Sequence, residues 1–229
     1  MAVQKIIGIA LANLSKFMKI SKSSIKKIGS VTYPSYTYAT WNPGDKSSYI
    51  TLSNGNLTAT ASSSGWRSVR CNISKNSGKH YFEITATSIK GSYDGQLALF
   101  GIADIMMSVD NYVGSSSGAG WGWWGNDTQK QYYHAGSASS ATVGIVDGDI
   151  VMIAFDVGGS KLWFGKNGTW NASGDPANGT NPIFTGLDGW SNTYYACLSL
   201  QNPAYATANF GATTFAYTPP SGFNAGIYT

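Results

Sequence analysis

The stretch VGIVDGDIVMIAFDVGGSKLWF, residues 143–164, decides the fold of this 229-residue chain. It contains two short apolar runs, at 150–155 and 162–164, and the turn-forming segment VGGS separates them. Apolar runs of this length, flanked by Asp and Gly and joined by a tight glycine-containing turn, are typical of a β-hairpin. The pattern therefore predicts two central antiparallel strands, and we expect their aromatic side chains Phe155 and Trp163 to be largely buried.

Five segments, taken in chain order, resemble the strands of the SPRY family. They are SGKHYFEI at 77–84, LALFGIA at 97–103, the hairpin, YACLSL at 195–200 followed by ANFG at 208–211, and FAYTPPSGF at 215–223. The fourth is similar to the paired closing strands of that family. The resemblance covers about residues 38–223 and implies an all-β fold, a two-sheet antiparallel β-sandwich of the concanavalin A-like type with recognition loops at one edge.

One segment departs from the family pattern. Residues 104–125 are long and rich in Gly, Ser and Trp. Because of this departure, the partners of better-known members are not transferred to this chain.

Composition agrees with a single sandwich domain preceded by a short arm. The chain is 42% hydrophobic, which suffices for a sizeable core, and its 28 glycines, 14% aromatic and 11% charged residues suit short strands joined by turns. Residues 1–31 carry six of the fifteen basic residues and no acid, so nine basic residues face eleven acids in the remainder. This asymmetry predicts a basic arm at 1–31 and a domain at 32–229 that does not bind nucleic acid.

The arm shows an eleven-residue repeat of apolar positions. Such a period is compatible with helices that supercoil right-handedly, while its glycines and repeated isoleucines leave an extended wrap open. Its apolar run is too short for a membrane span, which takes about twenty residues. The apolar positions of the predicted anchor are Ile6, Ile9, Leu14, Phe17, Ile20, Ile25 and Ile28.

The sequence leaves two possible contacts for this arm. It could cover an edge of its own domain, or it could dock on another protein. The pattern also resembles short repeats at the start of tailed-bacteriophage virion proteins, and that resemblance implies attachment of an outward-facing domain to the particle.

Residues for catalysis or metal binding are sparse. The chain has two histidines, His80 and His134, and no Ser-containing elbow accompanies them. Glu83 is the sole glutamate, so the two-carboxylate pair of a glycosidase is not expected. Asp147 and Asp149 flank a glycine before a strand, which is ordinary turn chemistry. We therefore expect no enzyme activity, no cofactor and no metal.

Aromatic residues are the better candidates for binding. Trp121 and Trp123 alternate with glycines, and for them both core packing and ligand contact stay open. Trp66, beside Arg67 in a Ser-rich segment, and Trp190, in the segment LDGWS, have more loop-like surroundings, and we expect both to be exposed.

Taken together, the patterns predict a non-catalytic binding module. The leading hypothesis is a bacteriophage virion structural or appendage protein, a tail fibre, spike or decoration protein assembled in the host cytoplasm. Residues 1–31 would contact other virion proteins, loops would contact a host-surface glycan or protein, and the chain would form a homo-oligomer. The alternatives are a soluble SPRY adaptor that recognises a peptide, a lectin-like carbohydrate-binding domain and a carbohydrate-active enzyme.

Overall fold

The computed structural model of the chain describes residues 27–28, 31–32, 35–90, 97–115, 119–125 and 128–229. Two short strands, β1 (Lys27–Ile28) and β2 (Val31–Thr32), pair with each other. Every other described strand belongs to one of two sheets. The described part of the chain holds no helix with the length and hydropathy of a membrane span.

The first sheet has seven antiparallel strands. They are β3 (Trp41–Lys46), β6 (Arg67–Cys71), β8 (Ala98–Asp104), β9 (Gly120–Gly125), β10 (Lys130–His134), β11 (Ser137–Ser140) and β16 (Tyr194–Leu200). Their order across the sheet is β11-β10-β9-β8-β16-β6-β3.

The second sheet has nine strands. They are β4 (Ile50–Ser53), β5 (Thr58–Ala61), β7 (Lys79–Ser88), β12 (Ile150–Asp156), β13 (Lys161–Lys166), β14 (Thr169–Trp170), β15 (Phe184–Thr185), β17 (Tyr205–Asn209) and β18 (Asn224–Ala225). Seven follow the order β14-β13-β12-β7-β17-β5-β4, while β15 pairs with β13 and β18 runs parallel to β7.

The two sheets pack face to face, which confirms the predicted antiparallel sandwich. Successive side chains along a strand point to opposite faces, and in β7 both faces are buried. Phe82 and Ile84 enter the core between the sheets, whereas Tyr81 and Glu83 face outward under a further layer. This arrangement explains why most of the strand is buried although it contains His80 and Glu83.

The predicted hairpin is formed by β12 and β13. Asp156 pairs with Lys161 across the four-residue turn, and the carboxylate of Asp156 accepts a 2.9 Å hydrogen bond from the backbone N–H of Gly159. Phe155 is fully buried and Trp163 is 1% exposed, so the expected burial is confirmed. Phe155 lies between the sheets, while Trp163 lies on the outer face of the nine-stranded sheet.

The predicted pairing of the closing strands is wrong. β16 lies between β8 and β6 in the seven-stranded sheet, whereas β17 lies between β7 and β5 in the nine-stranded sheet. The chain crosses from one sheet to the other through residues 201–204. Both strands place alternate apolar residues in the core, so their sequence pattern does not say which sheet each one joins.

A C-terminal segment covers the outer face of the nine-stranded sheet. The Glu83 carboxylate accepts hydrogen bonds from the backbone N–H groups of Ala216 and Tyr217, each 2.9 Å, and from the Tyr81 hydroxyl at 2.7 Å. Burial, followed by this hydrogen bond, raises the pKa of Tyr81. The aromatic residues packed over this face are Trp170, Phe215, Tyr217 and Phe223.

The segment that departs from the family pattern covers the outer face of the seven-stranded sheet. The hydroxyls of Ser68 and Ser199 lie 2.7 Å apart, and Ser199 accepts a 2.8 Å hydrogen bond from the backbone N–H of Val113. A side chain at Gly122 would come within 2.8 Å of Val113, so glycine lets the segment lie close against β9. Residues 105–115 are therefore a cover fixed by buried polar groups.

The predicted anchor falls almost wholly outside the described residues. Ile28 lies in β1 and pairs with Val31 of β2, so the backbone is extended at this point. The boundary at 31/32 stays a prediction, and β2 spans it. The other anchor positions lie outside the described residues: Ile6, Ile9, Leu14, Phe17, Ile20 and Ile25.

Candidate binding surfaces

The two histidines have structural surroundings. Nε2 of His80 lies 2.8 Å from the Ser77 carbonyl oxygen, its ring packs near Phe155, and burial lowers its pKa. His134 stacks on Trp121 with ring centroids 4.7 Å apart. Neither histidine lies within hydrogen-bond distance of a serine hydroxyl in the described contacts, so these residues do not assemble a nucleophile and its base.

The carboxylates of Asp147 and Asp149 are occupied by turn hydrogen bonds. Asp147 accepts from the backbone N–H of Ile89 at 2.7 Å, and Asp149 accepts from Asn167 at 2.7 Å and pairs with Lys166 at 3.2 Å. Among the residues that the structure describes, no three His, Cys, Asp or Glu side chains are grouped to hold a metal ion.

Trp121 and Trp123 are core residues, and as ligand contacts these two candidates are corrected. Both side chains are fully buried between the sheets. In β9 the two tryptophans share the inward face, while Gly120 and Gly122 lie on the outward face beneath the cover. Neither indole can reach a ligand while the sandwich stays folded.

Trp66 and Arg67 lie in a cluster of aromatic and charged side chains that we call the Trp66 cluster. Its members come from three separate segments of the chain. They are Tyr49, from the connection between β3 and β4; Trp66 and Arg67, at the start of β6; and Asp110 and Tyr112, from the cover over the seven-stranded sheet.

Arg67 organises this cluster. Its guanidinium lies 4.9 Å from the ring centroid of Tyr49 and donates a 2.8 Å hydrogen bond to the Trp66 carbonyl oxygen. Its Nε lies 3.9 Å from a carboxylate oxygen of Asp110. The Trp66 and Tyr112 rings meet edge to face, with centroids 6.2 Å apart. The arginine thereby contacts one aromatic ring, the backbone of Trp66 and one carboxylate.

This aromatic surface is partly accessible, and the expected exposure of Trp66 is met only in part. Tyr49 is 48% exposed, and Trp66, Arg67 and Tyr112 are half-buried. The row continues across the sheet, because the Tyr112 ring lies 5.5 Å from that of Tyr133. Trp, Tyr and Arg are the side chains most enriched in interface hot spots. The cluster has the composition and partial exposure of a binding surface.

Trp190 is exposed, as expected, and lies in a rigid loop. Its side chain is 74% exposed. Ser191, the next residue, donates two 2.7 Å hydrogen bonds, from its backbone N–H and its hydroxyl, to the buried carboxylate of Asp104. Tyr194 donates a 2.5 Å hydrogen bond to the Leu187 carbonyl oxygen. The loop is therefore fixed on both sides of the tryptophan.

Trp66 and Trp190 lie at opposite ends of the sandwich. In β16, Leu200 pairs with Arg67, whereas Tyr194, at the other end of the strand, pairs with Asp104. A seven-residue strand spans roughly 20 Å. Trp66 and Trp190 therefore cannot belong to one small binding site.

The described domain begins near Tyr36, which lies at the same end of the sandwich as Trp190. Tyr194 exchanges 2.8 Å backbone hydrogen bonds with Lys75, whose amine donates to the Tyr228 carbonyl oxygen at 2.5 Å. The Tyr228 ring in turn lies 4.4 Å from that of Tyr36. The Trp66 cluster therefore lies at the end of the domain away from Tyr36.

Sequence reasoning missed Tyr49, Asp110 and Tyr112. Tyr112 and Asp110 lie in residues 104–125, which depart from the family pattern. That departure could have pointed to these two residues. Tyr49 sits in a Ser-rich turn with no distinctive pattern, and only the contact with Arg67 reveals it.

Solved structures with known domains share this architecture. The SPRY domain of human HERC1 aligns over 73% of this chain and 96% of its own, at 16% identity and a TM-score of 0.59. The TRIM65 PSpry domain aligns over 76% of this chain and 92% of its own, at 16% identity and a TM-score of 0.55. The chain has the SPRY fold.

The SPRY fold also occurs inside a larger neighbour. Stonustoxin aligns over 76% of this chain but only 27% of its own, at 16% identity and a TM-score of 0.55. No family model matches the sequence, and no curated protein matches it. At this identity the likeness concerns the fold alone, so binding has to be argued from the side chains of this chain.

Proposed function

We propose that this SPRY-fold protein is a non-catalytic binding module that contacts its ligand through the Trp66 cluster. The observation that carries the proposal is the set of contacts that Arg67 makes with the Tyr49 ring, the Trp66 carbonyl oxygen and the Asp110 carboxylate, which place two partly exposed aromatic residues beside opposite charges. Flat aromatic faces with a fixed guanidinium and carboxylate suit either a sugar ring or a protein side chain.

At the finer level we propose a virion structural or appendage protein of a bacteriophage, assembled in the host cytoplasm. The arm at 1–31 attaches the domain to other virion proteins and the chain forms a homo-oligomer, while the opposite end contacts a host-surface glycan or protein. Two observations support this arrangement. The arm has an apolar repeat with lysines between, and the Trp66 cluster lies roughly 20 Å along β16 from the end where the arm joins.

Binding to intact host cells and to a glycan array tests the recognition proposal. Trp66→Ala and Arg67→Ala should each weaken binding, and Tyr205→Ala serves as the control because Tyr205 is also partly exposed and lies outside the cluster. Equal binding by all three variants, with unchanged folding spectra, would remove the Trp66 cluster from the function.

Mass spectrometry of purified particles tests the virion proposal. We expect the full chain in particles and its loss when Leu14 and Ile25 are both replaced by Asp, because a charge in each repeat interrupts the apolar side. A soluble adaptor that recognises a peptide is the alternative, and absence of the wild-type chain from particles would favour it. Retention of the doubly charged variant in particles would instead mean that the arm is not the anchor.

A further inference from the structure

Strand β11 forms one edge of the seven-stranded sheet, and none of the described strands pairs with its outer side. Its four side chains are all exposed. They are small and uncharged, and the register with β10 runs without a bulge. An edge strand of this kind presents unpaired backbone N–H and C=O groups to a further strand.

The pairing with β10 shows which backbone groups of β11 point outward. The N–H of Ala141 donates a 3.1 Å hydrogen bond to the Lys130 carbonyl oxygen, so these two residues form a hydrogen-bonded pair. Hydrogen-bonded pairs alternate along an antiparallel ladder. With the observed register, the odd-numbered residues of β11 therefore also bond to β10. The N–H and C=O groups of Ala138 and Ser140 point away from the sheet.

The other edges of the two sheets are protected. At the opposite edge of the same sheet, β3 contains Pro43, and its pairing with β6 is irregular. At one edge of the nine-stranded sheet, both backbone groups of Ile50 in β4 are occupied, by the Ser47 carbonyl oxygen at 3.0 Å and the Lys46 amine at 2.6 Å. At its other edge, β14 and β15 have two residues each. In the described part of the chain, β11 is therefore the edge left available.

The side chains beside this edge favour an added strand with large residues on one face. Cross-strand partners lie on the same face of a sheet, so Ala138 lies on the outer face beside Tyr133 of β10. Tyr133 is partly exposed there, and its ring lies 5.5 Å from that of Tyr112. Because Ala138 is small, a large side chain on an added strand has room to lie across it against the Tyr133 ring. On the opposite face, Ser137 and Ser139 are exposed and suit polar residues.

We infer that β11 is a strand-addition site for an extended segment of a partner protein, in which large apolar or aromatic residues alternate with polar ones. The backbone groups of Ala138 and Ser140 recognise this segment. Outward groups two residues apart along a strand recur about every 7 Å, which is the spacing that another β-strand presents. This edge lies outside the Trp66 cluster, so the inference goes beyond the proposed recognition function.

Two features favour a partner segment over a second copy of this chain. A copy of β11 would bring only Ala and Ser to the outer face and would leave the Tyr133 ring as it is. Pairing through Ala138 and Ser140 also supplies by itself far less than the roughly 800 Å² per partner of a stable dimer. A short segment, in contrast, binds through backbone hydrogen bonds and a few alternate side chains.

Amide hydrogen exchange of the full chain tests the inference. The probe is a synthetic peptide in which threonine and tyrosine alternate. We expect the amides of Ala138 and Ser140 to exchange rapidly in the free chain and about tenfold more slowly with excess peptide. The amide of Ser139 bonds to β10 already, so it should not change and serves as the internal control. A peptide with every backbone nitrogen methylated keeps the side chains but cannot form the ladder, and it should give no protection.

Two substitutions at one position separate backbone recognition from side-chain recognition. Ser140→Pro removes an outward N–H but no ladder donor, and an edge strand tolerates proline at such a position. It should weaken peptide binding by about tenfold or more. Ser140→Ala keeps the N–H and should bind like the wild type. If Ser140→Pro fails to fold, the comparison of the two peptides on the wild-type chain decides the question.

Each other result overturns the inference. Equal binding of the methylated peptide, or of folded Ser140→Pro, means that side chains alone hold the peptide. Protection of Ala138 and Ser140 in the free chain that rises with protein concentration means that a second copy occupies the edge. Protection at every concentration means that the chain itself covers the edge. Unchanged exchange at both amides with excess peptide means that β11 does not accept a strand.

Discussion

The outer faces of the two sheets carry similar aromatic side chains but are covered in different ways. On the nine-stranded sheet, the C-terminal segment closes over Tyr81 and Trp163 and leaves both buried. On the seven-stranded sheet, residues 105–115 cover the centre but leave Trp66 and Tyr133 partly exposed at its margin. An aromatic residue on a sheet face therefore serves stability where the cover is complete, and is available for binding where the cover ends.

The largest expected effect concerns the outer face of the nine-stranded sheet, which the C-terminal segment covers. Trp163→Ala should lower the free energy of unfolding by about 3–5 kcal/mol, because it removes a buried indole and leaves a cavity under the C-terminal segment. Urea unfolding measures this loss. Trp190→Ala is the control on an exposed tryptophan and should change stability by less than about 0.5 kcal/mol. Equal midpoints for the two variants would contradict the difference drawn between buried and exposed aromatic sites.

The second effect concerns the attachment of the C-terminal segment. Glu83→Ala should cost about 3 kcal/mol, because two backbone N–H groups and the Tyr81 hydroxyl lose a charged acceptor in a buried site. Hydrogen exchange should accelerate at Ala216 and Tyr217 before it does in β12. Glu83→Gln keeps an acceptor oxygen and should lose less stability. Unchanged exchange at both amides in Glu83→Ala would mean that other contacts hold the segment.

The third effect concerns the partly covered outer face of the seven-stranded sheet, where we expect a substitution to weaken binding more than stability. Trp66→Ala should weaken ligand binding by about 1–4 kcal/mol and lower unfolding stability by less than about 1.5 kcal/mol. Binding titrations and urea curves on the same preparation measure the two quantities. A stability loss as large as that of Trp163→Ala would show that Trp66 belongs to the packed cover rather than to a binding surface.

The smallest effect concerns the ion pair between Asp110 and Arg67, at the margin of the seven-stranded sheet's outer face. Asp110→Asn should change stability by less than about 1 kcal/mol, because the Asp110 side chain is 66% exposed and the pair with Arg67 is long, at 3.9 Å. Any loss should shrink in 1 M salt, where surface charges are screened. A loss that persists in salt would point instead to the 2.6 Å hydrogen bond from Ser47, which is weaker when a neutral amide replaces the carboxylate as its acceptor.

Local patterns predicted the strands well because their evidence lies within a few residues. The hairpin of β12 and β13 has its turn, its flanking Asp and its aromatic residues in one short stretch, so register and burial follow from it. The pairing of β16 with β17 failed because each strand has the same alternation, and the choice of sheet depends on packing with β6, β7 and β8.

The candidate binding residues could also be predicted only in part. Trp190 is exposed as its loop-like surroundings suggested, and the burial of Trp121 and Trp123 follows from which face of β9 meets the core. The alternation of Trp with Gly shows that the tryptophans share a face but does not say which face is covered. That outcome depends on the path of residues 105–115 over the glycines.

By itself, the sequence determined that this protein is an all-β sandwich with a central hairpin, preceded by a basic segment with an apolar repeat. The sandwich followed from the resemblance of five segments to SPRY strands, and the hairpin from residues that are near neighbours in the chain. Only the tertiary structure decided that Trp66 joins Tyr49 and Tyr112 at one end, and that Trp190 joins Met106 around Asp104 at the other. Each of those assemblies needs segments that are distant in the chain, and their meeting depends on how the two sheets order their strands.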